Sequence, residues 1–361
     1  MTAVQAPPAA ATRGAGRQRI GLLLPVAGLT VVLLGSVLVA IGIGAASIAP
    51  EDTARYLWAA LTGGSIGADE ATAYQIVWQI RTPRVLLAAV VGAGLAVVGV
   101  AVQAMVRNAL ADPFVLGVSS GASVGAVSVI VTGGLAALGI YAVSAGAFAG
   151  ALLASVVVYA AAAGRGGMSP LRLVLTGVAM SFGFQALMSV IVYFAPDGEA
   201  TSTVLFWTMG SFGAATWGSL PVVAAAVGVA VVALRRSGRR LDVLALGDET
   251  AASLGIDAGR VRRGLFLLSS VVTGAMVAVS GAIGFVGLIL PHLVRMVVGA
   301  GHARVLAVAP LAGAIFMVWV DVAARTVVAP RELPLGAITA LAGVPVFVAL
   351  LRRRGYLFGG R

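Results

Sequence analysis

Residues able to do chemistry are scarce in this sequence. Two histidines, His292 and His302, and 13 carboxylates stand in 361 residues, with no cysteine. The missing thiol removes disulfides, thiolate nucleophiles and Cys-ligated zinc or iron–sulfur clusters. All 24 basic residues are arginine, so there is neither a Schiff-base lysine nor the lysine of a phosphate-cradling GxxxxGK[ST] loop. The chain cannot be a P-loop ATPase by itself. Two histidines do not make a metal site without carboxylate neighbours, and His292, directly behind Pro291, reads as a structural residue at a helix break.

Polar detail concentrates in four segments: Arg81 to Ala126, which contains NALADP; Leu241 to Ile256, which contains LALGDETAASLG; Ser280 to Gly299, which contains GFVGLILPHLVR; and Asp321 to Phe347, which contains ELPLG. The elements that must carry them are membrane helices. The chain is 60% hydrophobic and 10% charged, with a mean hydropathy of +1.04. Soluble domains run nearer 45–50% apolar and about 25% charged. Ten apolar runs are expected to span a bilayer: Ile20–Ile48, Pro83–Val106, Pro113–Val131, Leu138–Ala163, Pro170–Phe194, Leu220–Leu234, Gly264–Ser280, Phe285–Val298, Val305–Val328 and Leu335–Leu351. Asp112-Pro113 and Ser169-Pro170 each place a capping side chain before a proline suited to a first turn. Residues 1–19 read as a disordered cytoplasmic tail, and 20–361 as one membrane domain.

Orientation follows from the arginines. With the N-terminus inside, Arg13, Arg17, Arg19, Arg107, Arg165, Arg172, Arg235, Arg236, Arg239, Arg240, Arg260, Arg262, Arg263, Arg295, Arg304, Arg352, Arg353, Arg354 and Arg361 fall on the cytoplasmic side, 19 of the 24. Only Arg55, Arg81, Arg84, Arg325 and Arg331 fall outside, a bias that the positive-inside rule reads as two cytoplasmic termini in a cell membrane. The formal charge of +11 therefore does not imply nucleic acid, because the arginines sit in short clusters between apolar runs.

Glycines recur at helix-packing intervals, as in Gly117, Gly121 and Gly125 or Gly146 and Gly150, which reads as compact bundle packing. Leu86–Gly99 and Leu268–Gly281 share seven of 14 positions on helices expected to run oppositely, the pattern of an inverted transporter repeat. Gln103, Asn108 and Gln185 read as hydrogen-bonding glue. Phe206 to Trp217 reads as an outer aromatic belt.

Taken together, the four segments resemble the permease subunits of the FecCD family, type II ABC importers of iron–siderophore complexes, haem and cobalamin. The match runs in order from about Gln79 to Leu351, with one departure: the family's usual Asn-Pro-Leu is Asn108-Ala109-Leu110 here. The resemblance implies an all-α polytopic protein of ten transmembrane helices with the fold of a vitamin B12 importer permease. It implies a second permease subunit, identical or related, two cytoplasmic ATPases that carry the ATP and magnesium, and an extracytoplasmic binding protein, with no cofactor on this chain. Residues 241–257 would be the ATPase-coupling segment, through Leu246, Gly247, Asp248, Glu249, Ala252, Leu254 and Gly255. Arg81, Arg84 and Arg325 would receive the binding protein; the alternative for them is snorkelling or pairing with Asp321 and Glu332. Met180, Gln185 and Met188 would line the pathway. The expected cargo is a ferric siderophore, with haem or cobalamin as alternatives. A secondary transporter using Asp321 as a proton relay is the reading from another class.

Overall fold

The computed structural model describes residues 12–352 apart from 45, 47, 165–167 and 197. Residues 1–11 of the expected tail, and Arg165, Arg353, Arg354 and Arg361 of the arginine bias, lie outside the described residues. Among the described residues the protein is all helix. The helices are α1 (Thr12–Gly42), α2 (Pro50–Thr62), α3 (Ala71–Gln75), α4 (Thr82–Val106), α5 (Val118–Thr132), α6 (Ala142–Ala162), α7 (Pro170–Tyr193), α8 (Gly198–Met209), α9 (Leu220–Arg236), α10 (Gly238–Ala245), α11 (Asp248–Ser253), α12 (Ala258–Ser280), α13 (Val286–Val298), α14 (His302–Thr326) and α15 (Leu335–Arg352).

Six segments are long and apolar enough to span. A seventh is the pair α9 and α10, bent by 64°, and α5, α13 and most of α15 are shorter apolar helices. These match the ten expected spans. Asp112 accepts a hydrogen bond from the Phe114 N–H at 2.8 Å and Ser169 from the Arg172 N–H at 3.2 Å, so both expected caps form.

The first span is shorter than its apolar run at one end and longer at the other. α1 begins at Thr12, within the segment expected to be a tail, and ends at Gly42 rather than Ile48. Arg81 donates to the carbonyls of Ile41 and Gly42, the acceptors a further helical turn would need. The amphipathic α2 then buries Thr53 and Tyr56 while exposing Trp58 and Leu61.

α4 is the axis. It packs against α9, α12, α13 and α14, and a helix surrounded on every side can be apolar all round. Glycine sets how closely its neighbours approach: a Cβ at Gly92 would strike the Gly313 carbonyl, and one at Gly99 the Gly287 carbonyl. The seam of Gly121 and Gly125 against Gly146 and Gly150 joins α5 to α6 in the same way. Gln103 donates to the carbonyls of Gly287 and Leu288 at 3.2 and 3.1 Å, tying α4 to α13. In contrast, only 6% of the hydrophobic window of α1 or of α7 is buried, so both present apolar surface for lipid or a partner.

The expected aromatic belt is corrected in part. Phe212 is fully buried, the Ser211 N–H donates to the Ser280 carbonyl, and the Leu335 N–H donates to the Gly210 carbonyl. Trp217 donates to the Trp78 carbonyl at 2.9 Å. The segment joins the ends of α12 and α15, because an irregular backbone must find partners for its N–H groups where water is scarce.

Candidate functional site

Two charged clusters, at opposite ends of α4, hold most of the expected site residues. At its N-terminal end α4 carries Arg81 just before its first turn and Arg84 within it; Asp321 and Arg325 lie one turn apart on α14, and Glu332 follows on the loop to α15. Arg84 donates through Nε to Asp321 at 2.8 Å, and through both terminal nitrogens to Glu332 at 2.6 and 2.9 Å. The Arg325 Nε lies 3.2 Å from the second Asp321 oxygen. Arg325 also donates to the Ala40 carbonyl at 2.6 Å and to that of Ile43, while Arg81 donates to Ile41, Gly42 and Ala46. Relative exposure is 5% for Arg81, 7% for Arg84 and Arg325, and zero for Asp321.

The last carbonyls of a helix lack intrahelical donors and carry the negative end of its dipole. Arg81 and Arg325 supply cations to that end of α1. The pairing named as the alternative is present for Arg84, with Asp321 and Glu332, and for Arg325, with Asp321, while Arg81 is spent on the α1 carbonyls and that of Ala46. The Glu332 carboxyl, outside the spans, is held below its ordinary range by its hydrogen bonds to Arg84.

At the opposite end, α10 and α11 form a short ledge. Gly247, at φ 114, and Gly255, at φ 75, bracket α11 in backbone that favours glycine. Ala251 is fully buried beneath the ledge, while Leu246 and Leu254 are 66% and 59% exposed, and Glu249 and Ala252 also face outward. Arg262 on α12 fixes the ledge. It donates to Asp248 at 2.7 Å, to the Met168 carbonyl at 2.8 Å and to the Met105 carbonyl at 3.2 Å. One guanidinium, itself 2% exposed, thus joins α11 to the end of α4 and the approach to α7. Arg107 stands 3.9 Å from Asp248. Nearby, the His302 N–H and its ring Nδ1 meet Asp242 at 2.9 and 2.7 Å, which ties α14 to α10.

The expected pathway residues do not form one group. Gln185 is exposed on α7 and Met188 is half-buried, while Met180 packs against the core. A polar side chain on the exposed face of a spanning helix suits a partner or water-filled path better than lipid. Among the described residues no three His, Cys, Asp or Glu side chains gather as a metal site. The sequence reading missed Arg262, whose only linear sign is its place four residues into α12. It also missed a cavity of about 640 Å³ between the ends of α5, α6, α8 and α12, lined in part by Tyr141, Ser144, Thr203 and Trp207.

Fold and clusters define a multi-pass helical membrane protein with a built ledge at one end. The FecCD transport family model matches residues 31–353, and the chain belongs to that family of ABC importer permeases. It is 41% identical over 283 residues to the cobalamin import permease of Halobacterium salinarum, covering 78% of this chain and 75% of that one. It is 39% identical over 282 residues to the hemin transport permease of Yersinia pestis, covering 77% and 84%. A solved inward-facing structure of a metal-chelate type ABC transporter aligns with TM-score 0.78 and 32% identity over 92% of this chain and 99% of that one.

Proposed function

We propose that the chain is the permease half of an ATP-driven importer that moves a ferric siderophore across the cell membrane, with both termini cytoplasmic. The observation that carries this is the α10–α11 ledge: exposed leucines flanking a short helix anchored by Arg262 suit a surface that receives force by contact. ATP and magnesium are handled by two partner ATPases. A second permease copy or a related chain packs on the bare face of α7, and an extracytoplasmic protein delivers the cargo. The cobalamin and hemin named for the relatives are large chelates with the metal already enclosed. Haem and cobalamin are the alternative cargoes.

Replacing Glu249 with Arg, or Ala252 with a bulky residue, leaves the permease inserted and detaches or uncouples the ATPase. Wild-type co-purification and transport in both variants overturn the coupling assignment. Reporter fusions after Ala68 and Gly198 read outside and those after Gly166 and Ser237 cytoplasmic; two inverted sites overturn the orientation. Growth of a deletion strain on defined iron chelates, haem or cobalamin decides the cargo, and loss of growth on haem or cobalamin alone removes the siderophore assignment. Transport that stops with an uncoupler and ignores ATP depletion returns the chain to the secondary-transporter reading.

A further inference from the structure

A cleft of about 460 Å³ opens between the C-terminal end of α9 and the first turns of α12, at the arginine-rich end of the bundle. Its wall is apolar, built by Leu234, Leu265 and Leu268, and its rim carries Ser237, Arg240, Asp257 and Arg260, a net positive charge. Gly264 leaves the groove open, because a Cβ there would meet nothing within 4 Å. The flanking surface is made for hydrocarbon: Val229, Val232 and Leu267 are 62%, 48% and 59% exposed.

The rim cations are loosely held. Arg240 has no ion pair among the described residues, and Arg260 reaches Asp257 only at 3.7 Å with both side chains more than half exposed. The Asp257 oxygen on the other side of the carboxylate caps α12 by accepting the Arg260 backbone N–H at 2.9 Å. A contrasting cleft of about 310 Å³ between α1 and α2, at the opposite end, is lined by apolar residues and Thr53 with no arginine.

An apolar groove running down from two rim cations at a membrane surface has the shape and charge of a phospholipid, phosphate at the rim and chain along the helices. We propose that the α9–α12 cleft holds one anionic phospholipid of the adjoining leaflet, its phosphate between Arg240 and Arg260 and an acyl chain lying over Gly264 and Leu268. The lipid would brace the bend between α9 and α10, and so the ledge that α10 begins.

The test uses the full permease with its ATPase, stripped of lipid in detergent and offered phosphatidylglycerol or phosphatidylcholine, with bound lipid counted by native mass spectrometry. Wild type retains one phosphatidylglycerol in preference to phosphatidylcholine. The Arg240→Gln/Arg260→Gln variant binds it about thirtyfold more weakly, as two interfacial arginines imply. Gly264→Leu, which fills the groove and leaves every charge in place, also loses it, and an unchanged elution profile shows that both variants are folded. Equal retention in all three proteins overturns the proposal. Loss in the arginine variant alone also overturns it, since the charges would then act without the groove. Displacement of the lipid by glycerol phosphate assigns the rim to a soluble phosphate and rejects the lipid.

Discussion

At the N-terminal end of α4, Arg81, Arg84, Arg325, Asp321 and Glu332 close upon one another and upon the last carbonyls of α1. At the C-terminal end Arg262 holds α11 and the Asp242–His302 contact holds α10, while Leu246, Leu254 and Glu249 face out. The first cluster satisfies itself; the second holds a surface ready for something else. The difference accounts for arginines at the end that the proposed orientation puts outside, where positive charge is disfavoured: there they fulfil a helix terminus and two carboxylates. It also separates two uses of one residue type, since arginine's fork can serve several fixed acceptors at once.

The sharpest way to break this comparison is to remove the carboxylate at the centre of the first cluster. Asp321→Asn leaves Arg84 and Arg325 buried with half their compensation, and breaking such a pair costs about 3–5 kcal/mol. Asp248→Asn, at a carboxylate 43% exposed, removes a charge that water already screens and keeps a side-chain oxygen for Arg262, so it costs less. Thermal unfolding of the two purified variants should therefore differ widely. Equal shifts would mean that the two ends are held with similar strength.

The next effect is functional. Arg262→Gln cuts the join between α11, Met105 and Met168 while leaving the outward face of the ledge chemically unchanged. Loss of such a connector reduces coupling by about 0.5–2 kcal/mol, roughly 2–30-fold. The expected result is ATPase that still co-purifies and hydrolyses ATP, with less substrate moved per ATP. A merely structural role would lower both activities together, and an unchanged transport ratio would show that the ledge needs no anchor on α4.

Much of this was legible beforehand, for reasons the residues make plain. The ten apolar runs, the proline caps after Asp112 and Ser169, and the glycine seam of α5 and α6 are local or periodic signals. The ledge was also legible as a segment, because GDETAASLG combines an acidic start with two glycines whose positive φ angles then appear at Gly247 and Gly255. Arg262 was not, since its partners Met105 and Met168 are main-chain acceptors that no side-chain pattern advertises. For the same reason the acceptors of Arg81, carbonyls about 40 residues earlier, were not legible. Phe212 was placed at an interface by its type, whereas hydrogen bonds of its neighbours Gly210 and Ser211 draw it inside.

The smallest expected change belongs to Glu332→Gln, and it bears most directly on binding-protein docking. If the binding protein lands on Arg84, Arg84→Glu slows its docking, yet that substitution also sets a third carboxylate beside Asp321 and Glu332, so slower docking there has two causes. Glu332 is the one member of the first cluster whose side chain is 43% exposed, so water screens its half of the pair. Glu332→Gln therefore barely moves the unfolding midpoint, while Asp321 keeps its grip on Arg84. What changes is the far side of the Arg84 fork, which loses a bidentate carboxylate and becomes available to one from another protein. Docking of the loaded binding protein should then be faster than in wild type, with the gain shrinking at high salt. The wild-type clamp has its own pH signature. Its carboxyl is depressed in the folded state, so the stabilisation is complete above the ordinary value of 4.5 and is lost as pH falls below that through the folded value. The small gap in unfolding midpoint between wild type and Glu332→Gln should close across that acid window. Association kinetics on reconstituted permease across salt measure the docking effect. Identical rates for wild type and Glu332→Gln would show that Arg84 serves the fold alone and that the binding protein lands elsewhere.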